Sequence, residues 1–174
     1  MNEFILVHHG VKGQKWGVRR YQNPDGTLTK AGKRRLAKEE YKKDLVDAAA
    51  RAQKADNKKD AIRMLRAANV GKTYVKNILG GAAIGAGVNA GFVGAGIAGM
   101  NKATGLIGMS YSSILEANTG VSTGKALAKS ALWGARDGAL VGTLVAALKV
   151  GKGNKIATKK YGVKSVKERL KEMG

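Results

Sequence analysis

Few of the residues in this 174-residue chain have the type and spacing that acid–base, nucleophilic or metal chemistry demands. His8 and His9 are adjacent. A catalytic zinc takes three protein ligands and a structural zinc four, so without further ligands the pair reads as hydrogen-bonding or packing histidines. The chain has no cysteine, which removes thiolate metal sites and disulfide stapling. Gly85-Ala86-Gly87 followed by Gly91 misses the dinucleotide-binding spacing, and no strand is predicted before it. Phosphate-loop and G-x-S-x-G patterns are absent. The 12 acidic residues are scattered among lysines, where solvated salt links are the ordinary outcome. The sequence therefore predicts a non-enzymatic protein with no catalytic residue, metal or cofactor.

Two other patterns carry more information. The first is a basic, aromatic cluster: Lys12, Lys15, Arg19 and Arg20 interleaved with Trp16 and Tyr21, then Lys30, Lys33, Arg34 and Arg35. Such a cluster can grip a phosphate backbone while its rings stack on bases. It can equally dock an acidic protein surface with Trp16 as the buried anchor, or form a solvated basic face. The whole chain is basic, 32 Lys and Arg against 12 Asp and Glu, for a net charge of +20. The excess is spread along it, 19 bases and 8 acids in residues 1–76 and 13 and 4 in 77–174. That favours a polyanion, whether nucleic acid, anionic lipid or acidic protein, without choosing among them.

The second pattern is a pair of small-residue rows. Every fourth residue gives Ala83, Gly87, Gly91, Ala95, Gly99 and Ala103 in one segment, and Ala126, Ser130, Gly134, Gly138, Gly142 and Ala146 in another. Positions four apart stack on one helix face, so each row is a groove that another backbone can enter closely. Glycine in a solvated helix costs about 1 kcal/mol relative to alanine, so such helices need a neighbour or lipid. Gly87, Gly91, Gly99, Gly134, Gly138 and Gly142 are the predicted helix-packing residues.

These patterns sit on a mainly α chain with four expected regions. Residues 1–29 form a basic aromatic element, irregular or hairpin-like, in which Asn23-Pro24-Asp25-Gly26 supplies turn chemistry. Residues 30–76 are charged helix-forming material in which Thr29 caps a first helix and Asn57 a second, with Asp60 near the second helix's positive end. Leu36, Leu45 and Val46 are too sparse for a wide buried stripe on the first; Ile62, Leu65 and Asn69 share a face on the second. Residues 77–150 form a glycine-zipper hairpin closed by a loop at 117–124. Residues 151–174 form a basic tail whose Val163, Val166, Leu170 and Met173 recur at helical spacing.

The 25 residues from Asn77 to Asn101 carry no charge. As a helix they would extend ~37 Å, enough to cross a hydrocarbon core of ~30 Å. Arg136 and Asp137 in the second segment oppose spanning, at about 3 kcal/mol each near a bilayer centre. A protein that is soluble first and inserts later fits this balance, as does a closely packed soluble assembly. The N-terminal apolar run is only Phe4 to Val7, beside Glu3, so Sec-type export is not expected.

The stretch from His9 through Gly10, Lys12, Trp16, Gly17, Arg19, Arg20 and Tyr21 to Gly32 resembles an HGVKGxKWGVRRYQNxDGTLTxxG motif of structural proteins of tailed bacteriophages. There the motif is joined to differing partner segments, which implies an address that docks cargo in the particle. The resemblance implies a virion protein, in the capsid or tail interior, with other virion proteins as partners. The zipper rows add homo-oligomerisation and contact with the host membrane during genome ejection. Two other readings remain: a minor capsid or internal protein that binds and neutralises packaged DNA, and a small membrane-active toxin or lysis protein.

Overall fold

The computed structural model describes residues 21–105 and 110–174. Its helices are α1 (Lys30–Lys54), α2 (Lys58–Ala68), α3 (Val70–Gly105), α4 (Tyr111–Thr119), α5 (Thr123–Tyr161) and α6 (Val166–Glu172). Among the described residues the only β pairing is an isolated bridge between Gln22 and Leu28, so the mainly α fold class expected from composition is the one observed. The chain divides into two compact units, residues 1–42 with 164–174, and residues 43–163.

In the first unit the Asn-Pro-Asp-Gly sequence makes the expected turn. The Gly26 amide donates to the Asn23 carbonyl at 2.9 Å, and Gly26 takes φ +85°, a conformation that glycine reaches without steric cost. The Asp25 carboxylate accepts from the Thr27 amide and hydroxyl at 2.9 and 2.7 Å and locks the turn. Thr29 caps α1 as predicted, its hydroxyl accepting the Gly32 amide at 3.1 Å. Gly32 is required here: a Cβ would be driven into the Tyr21 carbonyl oxygen. In the tail, Ser165 and Glu168 form a reciprocal capping box that starts α6, and Arg169 pairs with Glu40 at 3.0 Å.

The second unit corrects several expectations of which side chains would be buried. On α1 the covered residues in this unit are Leu45, Ala48, Ala49 and Ala52, while Val46 is exposed. The buried stripe therefore exists, but it is built mostly of alanine, which an inventory of large aliphatics misses. On α2 the same inversion holds: Ile62 and Leu65 are exposed, and Ala61, Met64, Ala67 and Ala68 are buried. The reason is the partner. α2 packs on α5 at Gly153, where an added Cβ would lie 2.7 Å from Ala67 Cβ, and only small residues permit that approach. Asn57 holds the N-cap position of α2 but makes no side-chain cap; its carbonyl accepts the Asp60 and Ala61 amides instead.

The boundaries drawn on charge also move. α3 begins at Val70, seven residues before the uncharged run, and α5 continues past residue 150 to Tyr161, where Gly162 ends it in a left-handed conformation. At the other end, α4 occupies part of the segment read as loop. Gly120 closes α4 with φ +65°, and Ser122 caps α5 through the Lys125 amide at 3.4 Å.

Asp60 clasps α2 to α5. Its carboxylate, 10% exposed, receives Lys160 Nζ at 2.7 Å and Arg63 Nη1 at 3.3 Å. The Lys160 hydrogen bond holds the Asp60 carboxyl below its ordinary value. A carboxylate depressed by folding contributes stability above its unfolded pKa and loses it as pH falls through the folded value. Asp60→Asn is therefore expected to melt lower than wild type at pH 7. The gap in thermal midpoint, followed by circular dichroism, should stay constant down to about pH 4 and close below it.

Candidate functional site

The candidate site is the seam between α3 and α5, which run antiparallel along their glycines. A Cβ at Gly85 would be driven into the Gly134 carbonyl oxygen and would lie 3.0 Å from the Gly138 Cα. The reciprocal holds at Gly134, and Gly81 and Gly138 exclude a Cβ from each other in the same way. At Gly142 the obstruction is the Asn77 carbonyl. Two backbones in contact over these turns gain dispersion and Cα–H···O interactions that side chains would prevent.

The α5 row is the one read from sequence: Gly134 and Gly142 are buried, Gly138 is half-buried, and Ala146 is fully buried below them. The α3 row is not. Gly87, Gly91 and Gly99 are exposed, and a Cβ at any of them would meet nothing within 4 Å. The row in contact is Asn77, Gly81 and Gly85, continuing to Asn89, two residues out of phase with the predicted one and so about 200° around the helix. α3 offers small residues on both faces. The inner face also carries polar contacts at one end: Lys149 Nζ donates to Asn77 Oδ1 at 2.6 Å, and the Thr73 hydroxyl donates to the Arg66 carbonyl at 2.9 Å. A search for rows of polar and small residues at four-residue spacing, rather than small residues alone, would have found it.

Extending the Gly81–Gly138 and Gly85–Gly134 register at equal rise places Arg136 and Asp137 level with about Ala82 and Ala83, and Lys129 level with about Ala90. The charged residues of α5 therefore lie beside the uncharged run of α3. They point outward: Arg136 and Asp137 have side chains 64% and 62% exposed, and Lys129 is exposed. Arg136 pairs with Asp137 at 3.4 Å and stacks on Trp133 with Cζ 4.4 Å from the ring centre. α3 exposes Leu79 and Phe92, and Ile84 and Val88 beside the seam, without a charge from Asn77 to Asn101. No residue of its most apolar stretch is fully buried, and α3 and α5 are each long and apolar enough to cross a bilayer.

Of the docking motif, His9, Gly10, Lys12, Trp16, Gly17, Arg19 and Arg20 lie outside the described residues. Tyr21 is described: its carbonyl accepts the Thr29 amide at 3.0 Å, and Arg35 Cζ lies 5.0 Å from its ring centre. Among the described residues no group of acids and histidines is placed to hold a metal.

In comparison with known proteins, residues 2–23 match DUF7211, a family of unknown function. No curated protein and no solved structure matches the chain. The matched segment is the motif-bearing N-terminus, separate from the glycine seam.

Gly138→Leu is expected to lower the thermal stability of the helical chain by about 1–3 kcal/mol or more, because the added side chain must separate two backbones. Gly91→Ala is expected to raise it by up to about 1 kcal/mol, since open space receives the methyl and helix propensity improves. Circular-dichroism melts of the two variants check both signs.

Proposed function

We propose that this is an internal virion protein of a tailed bacteriophage, carried by its N-terminal motif and released to act on the host membrane as the genome leaves. One observation carries the membrane part: the two outward faces of the α3–α5 hairpin differ, α3 being uncharged over 25 residues and α5 bearing Lys125, Lys129, Arg136 and Asp137 at the same depth. A single hairpin surrounded by lipid would expose those charges to hydrocarbon at about 3 kcal/mol each. An assembly of hairpins resolves the conflict by turning α3 to lipid and the charges of α5 to a water-filled lumen, with Leu132, Leu140, Leu144 and Leu148 of α5 packed between neighbouring hairpins. The resemblance of residues 9–32 to the phage motif supports the virion setting, and the seam supplies a rigid unit for assembly.

The cysteine-free sequence lets single introduced cysteines report position without background. After addition to anionic liposomes, Phe92→Cys should become shielded from aqueous thiol reagents and quenched by lipid-borne quenchers. Lys129→Cys should stay reactive in water, and entrapped dye should be released. Equal aqueous reactivity at both positions would overturn the membrane reading. Retention of the protein in particles emptied of DNA would overturn its release.

A second reading, neutralisation of packaged DNA, is favoured by Lys30, Arg34, Lys38 and Lys42. They stand at four-residue spacing on α1, all exposed, beside a surface hollow of about 750 Å³ whose lining includes one acid, Glu39. Four phosphate contacts would give a log–log salt slope of about −3.6 for duplex binding. Replacing all four with glutamine should flatten that slope; an unchanged slope removes this reading.

A further inference from the structure

The close approach of α3 and α5 leaves a groove along the glycine seam. It encloses about 550 Å³, within the range of small-ligand sites. Its floor is the backbone of Gly81, Gly85, Gly138 and Gly142, and its walls are Ile84 and Val88 on α3 with Val141 and Val145 on α5. No acidic residue lines it. Arg66, Lys76 and Lys149 also line it, together with Thr73 and Asn77.

These features belong together chemically. The apolar trough accepts hydrocarbon and gives nothing to a polar solute, whereas three cations at its mouth accept a phosphate. Lys149 is held in place by its 2.6 Å bond to Asn77 Oδ1, which uses one of its three protons and leaves two for an anion. From Lys76 to Val88 the trough runs ~18 Å along α3, slightly more than half of a ~30 Å hydrocarbon core. One leaflet's acyl chain has that length. The cationic mouth also opens at the end of the hairpin where Lys72, Lys152 and Lys155 are exposed, the end suited to a charged interface.

We infer that the groove holds one anionic phospholipid, its phosphate among Arg66, Lys76 and Lys149 and one acyl chain along the glycine floor. The proposal rests on the membrane reading above. A bound lipid fills the cleft beside the seam and makes the hairpin's response depend on anionic lipid rather than on bilayer thickness alone.

The test uses the full chain in vesicles of phosphatidylcholine with a minor fraction of phosphatidylglycerol, then native mass spectrometry after extraction into detergent. Retention of one phosphatidylglycerol per chain is expected, in preference to the far more abundant phosphatidylcholine. Arg66→Gln with Lys76→Gln should weaken that preference by about tenfold or more, while Lys149 on Asn77 and the Thr73 hydroxyl on the Arg66 carbonyl are kept. Gly80→Leu places a side chain in the groove at a position where a Cβ meets nothing within 4 Å, so it should displace the lipid with the hairpin and the cations intact. Equal retention of both lipids, or unchanged retention in Gly80→Leu, overturns the proposal. Competition by free glycerol phosphate as effective as by phosphatidylglycerol also overturns it, showing a site for the headgroup alone. Shielding of Phe92→Cys, which lies outside the groove, in the same vesicles keeps the two readings apart. Shielding without selective retention sinks only the lipid site, and absence of shielding sinks both.

Discussion

Everything distinctive in the larger unit depends on two backbones being allowed to touch. Gly81 and Gly85 on one helix and Gly134, Gly138 and Gly142 on the other leave no room for a Cβ, so the carbonyl of one helix lies against the α-carbon of the other. Contact at that distance excludes side chains from the seam and drives them outward. This is why Leu79, Ile84, Val88, Leu140, Leu144 and Leu148 are exposed in a fold with a well-packed interface. A leucine-based seam would have buried those side chains and left a polar exterior. The glycine seam produces the reverse, a rigid core of backbone with aliphatic side chains on its surface.

The same economy of side-chain volume extends to the other helices. α2 meets α5 through alanine and Gly153, and α1 buries Leu45 among alanines while Val46 stays exposed. With little apolar area per residue to hide, the hydrophobic contribution of each contact is modest. Polar contacts then carry the register. Lys149 on Asn77, Lys160 on Asp60 and the Thr73 hydroxyl on the Arg66 carbonyl stand along the basic end of the hairpin. Small-residue surfaces slide easily, because a shift of four residues presents a similar groove. Specific hydrogen bonds at one end remove that ambiguity.

Register in turn decides what the charge means. Read along the chain, the uncharged run of α3 and the Arg136-Asp137 pair of α5 belong to different segments and could have been segregated by folding. Their alignment at one depth gives the hairpin two unlike sides, and the groove between the helices joins an apolar trough to a cationic mouth. Both the assembly proposed above and the lipid site follow from that alignment rather than from net charge. A net charge of +20 states that the chain prefers polyanions; the placement of Arg66, Lys76 and Lys149 states where one could sit.

The sequence by itself determined the helical class, the turn at Asn23–Gly26 and the Thr29 cap, because each follows from contacts within a few residues; the small row on α5 was legible because its six positions are unbroken and the leucines fall outside it. It did not determine which face of α3 would be inside. Small residues recur on both faces, and the contact of Gly81 and Gly85, rather than Gly87, Gly91 and Gly99, goes with long-range partners such as Lys149 on Asn77, 72 positions away. Nor could it show that Ile62 and Leu65 would lie outside while alanines packed within, since that depends on how closely α5 approaches. Local propensity writes the helices. The choice of buried face waits on the tertiary structure, because a helix rich in glycine and alanine has no single hydrophobic stripe to declare it in advance.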